Sequence, residues 1–149
     1  MITWLLSVAV LAGSGVVAGV LFAVALSVLP ALITMPADRY VYAHQLIGQR
    51  WDPTMPIIVL SSTVIDVVLV FTADSGNGLF AIAAVLLLAV SIVSHFCNVP
   101  INRVVKSLDP ERIPPDWRDP RPLWRRFHLL RTALALVAVV VNAVALVPA

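Results

Sequence analysis

Residues 94–132 read SHFCNVPINRVVKSLDPERIPPDWRDPRPLWRRFHLLRT, and the reading of this stretch decides the rest of the chain. It holds eight of the ten basic residues, two of the three histidines, six of the eleven prolines and two of the four tryptophans, and it separates two strongly apolar segments. A connection that only joined two helices would be shorter and plainer, so chemistry is expected here if anywhere.

The segments on either side, 78–96 and 133–147, are apolar and free of Lys and Arg, as is 56–72, and each is close to the roughly 20 residues that cross a bilayer as a helix. A fourth run, 2–33, is longer than a bilayer needs and must tilt, kink near Pro30 or protrude. Its start carries no Lys or Arg and its apolar run is too long for a secretory signal, so it reads as a retained helix. Composition agrees: mean hydropathy is +0.98, and only 12% of the 149 residues are charged, against roughly 25% in soluble domains. The fold expected is an all-α membrane protein, a single domain over 1–149. It is a bundle of four transmembrane helices at about 2–33, 54–73, 78–98 and 124–147, with an interfacial helix at about 37–51 and a Pro/Arg-rich loop at 99–123.

Four crossings put both termini and the turn at 73–77 on one side, and residues 34–55 and 97–128 on the other. Every Lys and Arg lies on that second side or in the first turn of the last helix. The positive-inside rule then makes the functional loops cytoplasmic and both termini external, in the cell (inner) membrane. The expected partner of these basic residues is the lipid bilayer; no aromatic-interleaved pattern argues for nucleic acid.

Within the first helix Gly15, Gly19, Ala23, Ser27 and Ala31 recur every fourth position, a row of small residues that lets another backbone come close. Packing inside the bundle is the plainer reading of this row, and self-association into a homo-oligomer the second. Residues 37–51 place Tyr40, His44, Ile47 and Trp51 on one face, which predicts an amphipathic helix on the membrane surface, ended by Pro53 and Pro56. In the second membrane helix Asp66 lies about 15–18 Å from the polar edge, and Asn142 of the fourth helix about 20 Å from it. The two can meet as helix glue, or Asp66 can serve a proton relay or touch a substrate.

At the end of the third helix His95, Asn98 and Asn102 share a face if the helix persists through Pro100, which is expected to kink or break it. Trp124, His128 and Arg131 share a face of the fourth, and Arg131 needs a partner, with Asp116 and Asp119 the candidates. The three histidines, His44, His95 and His128, all fall at the basic ends of different elements. Two readings stay open: His95 and His128 as acid–base partners, or all three as ligands of a copper, iron or zinc ion.

The order 98-NVPINR-103, 114-PPDWR-118 and 124-WRRFHLLRT-132 resembles the signature of the anthrone oxygenase family of small four-helix membrane proteins. The resemblance implies oxidation of an anthrone or related polycyclic phenol by molecular oxygen with no recognised organic cofactor, so the cofactor expectation is none, or a His-bound copper or iron ion. It implies site residues Asn98, Asn102, Arg103, Asp116, Trp117, Trp124, His128 and Arg131. In that chemistry His128 or His95 takes a proton from the carbon between the rings, and Arg131 or Arg103 with the Asn amides steadies the developing oxyanion. Trp117 and Trp124 stack on a hydrophobic aromatic substrate, with Asp116 and Asp66 as further contacts. The function expected is an integral membrane oxidoreductase; the alternative is a non-enzymatic accessory subunit or hydrophobic-ligand binder.

Overall fold

The computed structural model describes residues 1–147, and among them every regular element is helical. Helix α1 (Ile2–Ala23) passes through a π turn (Val24–Val28) into α2 (Leu29–Thr34), and α3 runs from Ala37 to Thr72. Helix α4 (Asn77–Val93) likewise passes through a π turn (Ser94–Asn98) into α5 (Val99–Lys106), and α6 spans Arg121–Ala145. Four stretches are long and apolar enough to cross a membrane: Ile2–Thr34, Trp51–Thr72, Asn77–Lys106 and Arg121–Ala145. The chain is therefore a multi-pass membrane protein built as a four-helix bundle. Each of α1 and α4 packs against both α3 and α6, which makes the bundle four-sided.

The bundle follows the logic of packing in lipid, where expulsion from water no longer drives helices together and close backbone approach does. Ser14, Ala18, Ala83, Ala84, Ala135 and Ala138 face inward, whereas Leu26, Phe71, Val85 and Val140 face out. Gly13 has Ser62 so close that a Cβ there would collide with the Ser62 hydroxyl, which is how α1 and α3 approach in mid-bundle. The small-residue row of α1 divides: Gly15 meets Val139 of α6, but Gly19, Ala23, Ser27 and Ala31 are exposed on the outer flank. Packing inside the bundle therefore explains only the start of that row.

Two expectations about the ends of elements need correction. The segment 37–51 is not a separate surface helix, because α3 continues through Pro53 and Pro56 without a break. Both prolines are exposed near the start of the span, where headgroup water can serve the carbonyls of Gln49 and Asp52 that lose their donors. The inner side of this segment is core: Tyr40 and Val41 are wholly buried against Leu29, Leu32, Val105 and Trp124. Nor does Pro100 end the third membrane helix. The helix runs to Lys106, so the connecting loop begins at 107 and not at 99.

A π turn lies just before each of Pro30 and Pro100, and both occur for one reason. Proline lacks an N–H and its ring clashes with the carbonyl four residues earlier, which is Leu26 in one helix and Phe96 in the other, each the central residue of its π turn. One extra residue in the turn relieves the clash and lets the helix carry on.

Arg121 fastens the basic end. Its Nη1 donates to the carbonyls of Leu32, Ile33 and Met35 at 3.2, 3.3 and 2.5 Å, serving the open C-terminus of α2 with a cation. Its Nε donates to both oxygens of Asp119 at 2.8–2.9 Å, and its guanidinium lies 5.0 Å from the centre of the Tyr40 ring. Burial and the Asp119 charge push the Tyr40 phenol up to about 12, with Arg121 opposing. Burial alone would raise Asp119, but the hydrogen bonds and charge of Arg121 prevail and hold its carboxyl below the usual carboxylate range. Asp119 thus belongs to Arg121 and is not the partner expected for Arg131. Arg121→Leu is expected to cost about 2 kcal/mol, from charge-assisted bonds worth roughly 1.5–3 kcal/mol, while Arg112→Leu on the exposed loop changes little. Thermal melting of the two purified variants measures the difference.

Candidate functional site

The two π turns lie at the basic end of the bundle, and a cavity of about 610 Å³ lies between them, walled by all four membrane helices. Such a volume lies within the range of small-molecule sites. Its walls are mainly apolar, with Leu21, Val24 and Val28 from the first helix, Met55 and Val59 from α3 and Val90 from α4. Polar groups gather toward one end: His44, Ser91, Ser94, Asn98, Asn102, His128 and Arg131. Exposed wall residues mark the mouth. They are Ile47, Trp51 and Leu60 of α3 and Ile92, His95 and Phe96 of the third membrane helix, so the opening lies between those neighbours and reaches into the apolar spans. Asp52, Arg103 and Lys106 form its polar rim, where Lys106 pairs with Asp52 across α5 and α3.

Trp124 is the centre of the polar end. Its ring stacks on His128 at 5.1 Å and 13° and meets the edge of His44 at 5.7 Å. The Trp124 Nε1–H donates to Asn102 Oδ1 at 3.0 Å. Because indole nitrogen can only donate, the atom it meets on Asn102 is the oxygen. The same oxygen lies 3.2 Å from His44 Nε2, which must therefore carry a hydrogen and donate. His44 Nδ1 is then the lone-pair nitrogen of the ring, and the described residues supply it with no donor. Burial lowers His44 from the ordinary imidazole value, with the Asn102 bond opposing.

His128 is wired differently. Its Nε2 lies 3.1 Å from the Leu21 carbonyl, which only accepts, and its Nδ1 lies 3.0 Å from Arg131 Nη2, which only donates. Both nitrogens are thus committed, Nε2 as donor and Nδ1 as acceptor, in a fully buried ring. The Thr132 hydroxyl, bonded to the His128 carbonyl within α6 at 2.7 Å, also lies 3.5 Å from the Leu21 carbonyl and reinforces this join between α6 and the last turn of α1. Arg131 also donates to the Ser94 hydroxyl at 3.4 Å, and its Nε is buried with no partner among the described residues.

Of the residues singled out from sequence, the fold brings His44, Asn98, Asn102, Trp124, His128 and Arg131 together on the cavity wall, with His95 and Arg103 at its exposed margin. The π turn widens the step between His95 and Asn98, so Asn98 is wholly buried while His95 packs edge-on to Phe96 at 5.0 Å. Asn98 donates to the Trp124 carbonyl at 3.5 Å, bridging helices and not patching the proline break. Three expected substrate contacts are not on the wall. Asp116 is exposed on the loop. Trp117 closes a turn onto Pro114 and packs against Tyr40 at 6.2 Å. Asp66 is buried in a separate layer, 3.5 Å from Asn142, whose amide also reaches Ser14 at 3.5 Å.

The three-histidine metal set does not fit the donor arrangement. Among the described residues no group of three His, Cys, Asp or Glu side chains could hold a metal ion. Trp124 contacts both His44 and His128, and His128 has no nitrogen to spare. Sequence reading missed Ser91 and Ser94, although Ser91, Ser94 and Asn98 follow one another at steps of three and four and so share a face. It also missed the Leu21 carbonyl, which no side-chain pattern reveals. Asn102→Ala removes the one acceptor shared by two buried donors, each costing about 1–3 kcal/mol when left unpaired. Destabilisation of roughly 2–4 kcal/mol is expected by denaturant titration, with Asn102→Asp losing less.

No curated protein and no solved structure matches the chain. The family model described as anthrone oxygenase matches residues 44–141, well over half of the chain, from His44 through α3, the whole cavity-bearing third helix and most of α6. The chain is accordingly a member of the anthrone oxygenase family.

Proposed function

We propose that this protein is a membrane oxidoreductase that oxidises a hydrophobic polycyclic phenol, anthrone or hydroquinone with molecular oxygen, the basic end facing the cytoplasm. The observation that carries this reading is the chamber itself. It is apolar-walled, has exposed apolar residues of α3 and the third membrane helix at its margin, and includes in its lining the Arg131 guanidinium and His44, whose Nδ1 has no donor among the described residues. Family membership supplies the reaction class.

His44 is the proton acceptor in this reading, in place of His95 or His128. A base needs an uncommitted nitrogen, and His44 Nδ1 is one, whereas both nitrogens of His128 are engaged. His128 is a positioning residue that orients Arg131. Removing a proton from the methylene between the rings of an anthrone gives an enolate, whose oxygen meets the Arg131 guanidinium. The electron-rich carbon passes one electron to oxygen, the resulting pair combines to a hydroperoxide anion, and this takes up a proton and loses water to leave the second carbonyl. One anthrone and one O₂ give one quinone and one water. Oxygen is both oxidant and source of the new carbonyl oxygen. The Trp124 ring, held by Asn102 and His128, offers a flat apolar surface beside the reacting carbon.

Oxygen uptake by the purified protein on a panel of anthrones and hydroquinones tests the reading. His44→Ala is expected to slow turnover by about 10²-fold or more, as loss of a general base does, while His95→Ala stays within a few-fold of wild type. Full oxidation by His44→Ala would overturn the assignment. The base must be neutral, and burial lowers its pKa; the rate therefore holds as pH falls through about 6.5 and declines only at more acid pH. An acid limb centred above 6.5 would count against His44. Asp66→Asn, far from the chamber, should leave turnover unchanged.

A further inference from the structure

Six side-chain polar atoms are buried without a hydrogen-bond partner among the described residues, and three of them belong to residues on the wall of this one cavity: Ser91 Oγ, Asn98 Oδ1 and Arg131 Nε. Most buried polar groups in folded proteins have a partner; the other three orphans, on Tyr40, Asp66 and Asn142, lie off the wall, and the three on residues of one chamber point to a ligand that would complete them. Ser91, Ser94 and Asn98 lie on one face of the third helix over about 10 Å. Arg131 joins that row at Ser94.

Their chemistry is not symmetrical. Arg131 Nε–H can only donate and Asn98 Oδ1 can only accept, while the Ser91 hydroxyl can do either. Arg131 has no ion pair with any described carboxylate, and the one acid on the wall, Asp52, is paired with Lys106. A guanidinium held in an apolar chamber without a counter-charge is costly unless an anion arrives with the ligand.

We infer that the cavity binds an aromatic ligand as its anion, with the ionised oxygen on Arg131 and Ser91 and a neighbouring hydroxyl donating to Asn98. This names the ligand class of the site proposed above, and it rests on that reading only in taking the chamber to be the substrate site. Bare hydrocarbons and neutral ethers of similar shape leave all three atoms unserved. An acidic hydroxy-aromatic serves each of them once, and its rings are left to the apolar wall.

The test is binding to the whole protein in lipid nanodiscs, with empty nanodiscs as the partition control. Three fluorescent probes separate the features: 1-hydroxy-2-naphthoate has both charge and hydroxyl, 2-naphthoate lacks the hydroxyl, and methyl 1-hydroxy-2-naphthoate lacks the charge. Wild type should bind the first about tenfold more tightly than the ester and several-fold more tightly than 2-naphthoate. Arg131→Gln should remove about tenfold of affinity for the acid and leave the ester unchanged, with Arg131→Lys recovering part of the loss. If Arg131→Gln does not fold, Ser91→Ala still decides, since it removes only an unpartnered hydroxyl: several-fold weaker binding of the acid with unchanged melting is expected. Equal binding of acid and ester by wild type, or an acid affinity untouched by Ser91→Ala, overturns the inference. Selective acid binding without oxygen uptake on any substrate would sink the oxygenase reading alone. Wild-type turnover by Arg131→Gln would sink both the ligand assignment and the role given to Arg131 in steadying the enolate, whereas slowed turnover with unchanged affinity for the acid would sink the ligand assignment alone.

Discussion

A proline inside a helix clashes with the carbonyl four residues before it; α3 carries Pro53 and Pro56 as regular helix, but at Pro30 and Pro100 the clash is relieved by a π turn, and both lie at the same end. The π turns before Pro30 and Pro100 carry the first and third membrane helices on past their prolines. Each supplies wall residues to one chamber, Val24 and Val28 from the first, Ser94, His95, Phe96 and Asn98 from the second. Away from that end the core mixes small residues such as Gly13, Ser14 and Ala83 with the larger Val10, Leu69 and Phe80. The chamber is therefore a consequence of backbone geometry before it is a consequence of any side chain.

Once the helices are opened there, hydrogen-bonding groups have to be served without water. The solution is a relay of side chains that tie one helix to another: His44 and Trp124 share Asn102, His128 reaches from Arg131 to the Leu21 carbonyl, and Asn98 reaches the Trp124 carbonyl. In a medium of low dielectric each such bond is stronger than in water, and each omission dearer. The relay engages both nitrogens of His128 and leaves His44 Nδ1 without a donor among the described residues. His44 comes from a segment that periodicity alone assigned to the membrane surface, and its face is turned inward by the burial of Tyr40 and Val41 beneath α2 and α5.

The four spans, their order and the family signature were legible because apolar length and charge asymmetry are one-dimensional signals. The facing of Trp124, His128 and Arg131 was legible too, since a four-three step on a regular helix admits one outcome. What sequence could not carry was the continuation of α3 through two prolines, because propensity does not know that both prolines face outward at the interface. The partner of Arg131 was misassigned for a similar reason. Asp119 is close in sequence to several arginines, and only the positions of the α2 carbonyls make Arg121 the one it meets. Asp66 drew attention as a carboxyl in the membrane, yet it sits with Asn142 and Ser14 in a layer of its own.

The opening between α3 and the third membrane helix is bounded by Leu60 and Ile92 as well as by the polar rim. A molecule that enters there is drawn from the acyl-chain phase, so occupancy follows its mole fraction among lipids and not its aqueous concentration. Partitioning then acts as a first sieve, before any residue is met: amphiphiles whose rings lie among the chains and whose charge stays at the polar rim arrive pre-concentrated, and compounds without an apolar part scarcely arrive. Two compounds with equal intrinsic fit would differ in apparent affinity by the ratio of their partition coefficients, and diluting the sample with empty bilayer would weaken both at constant total concentration.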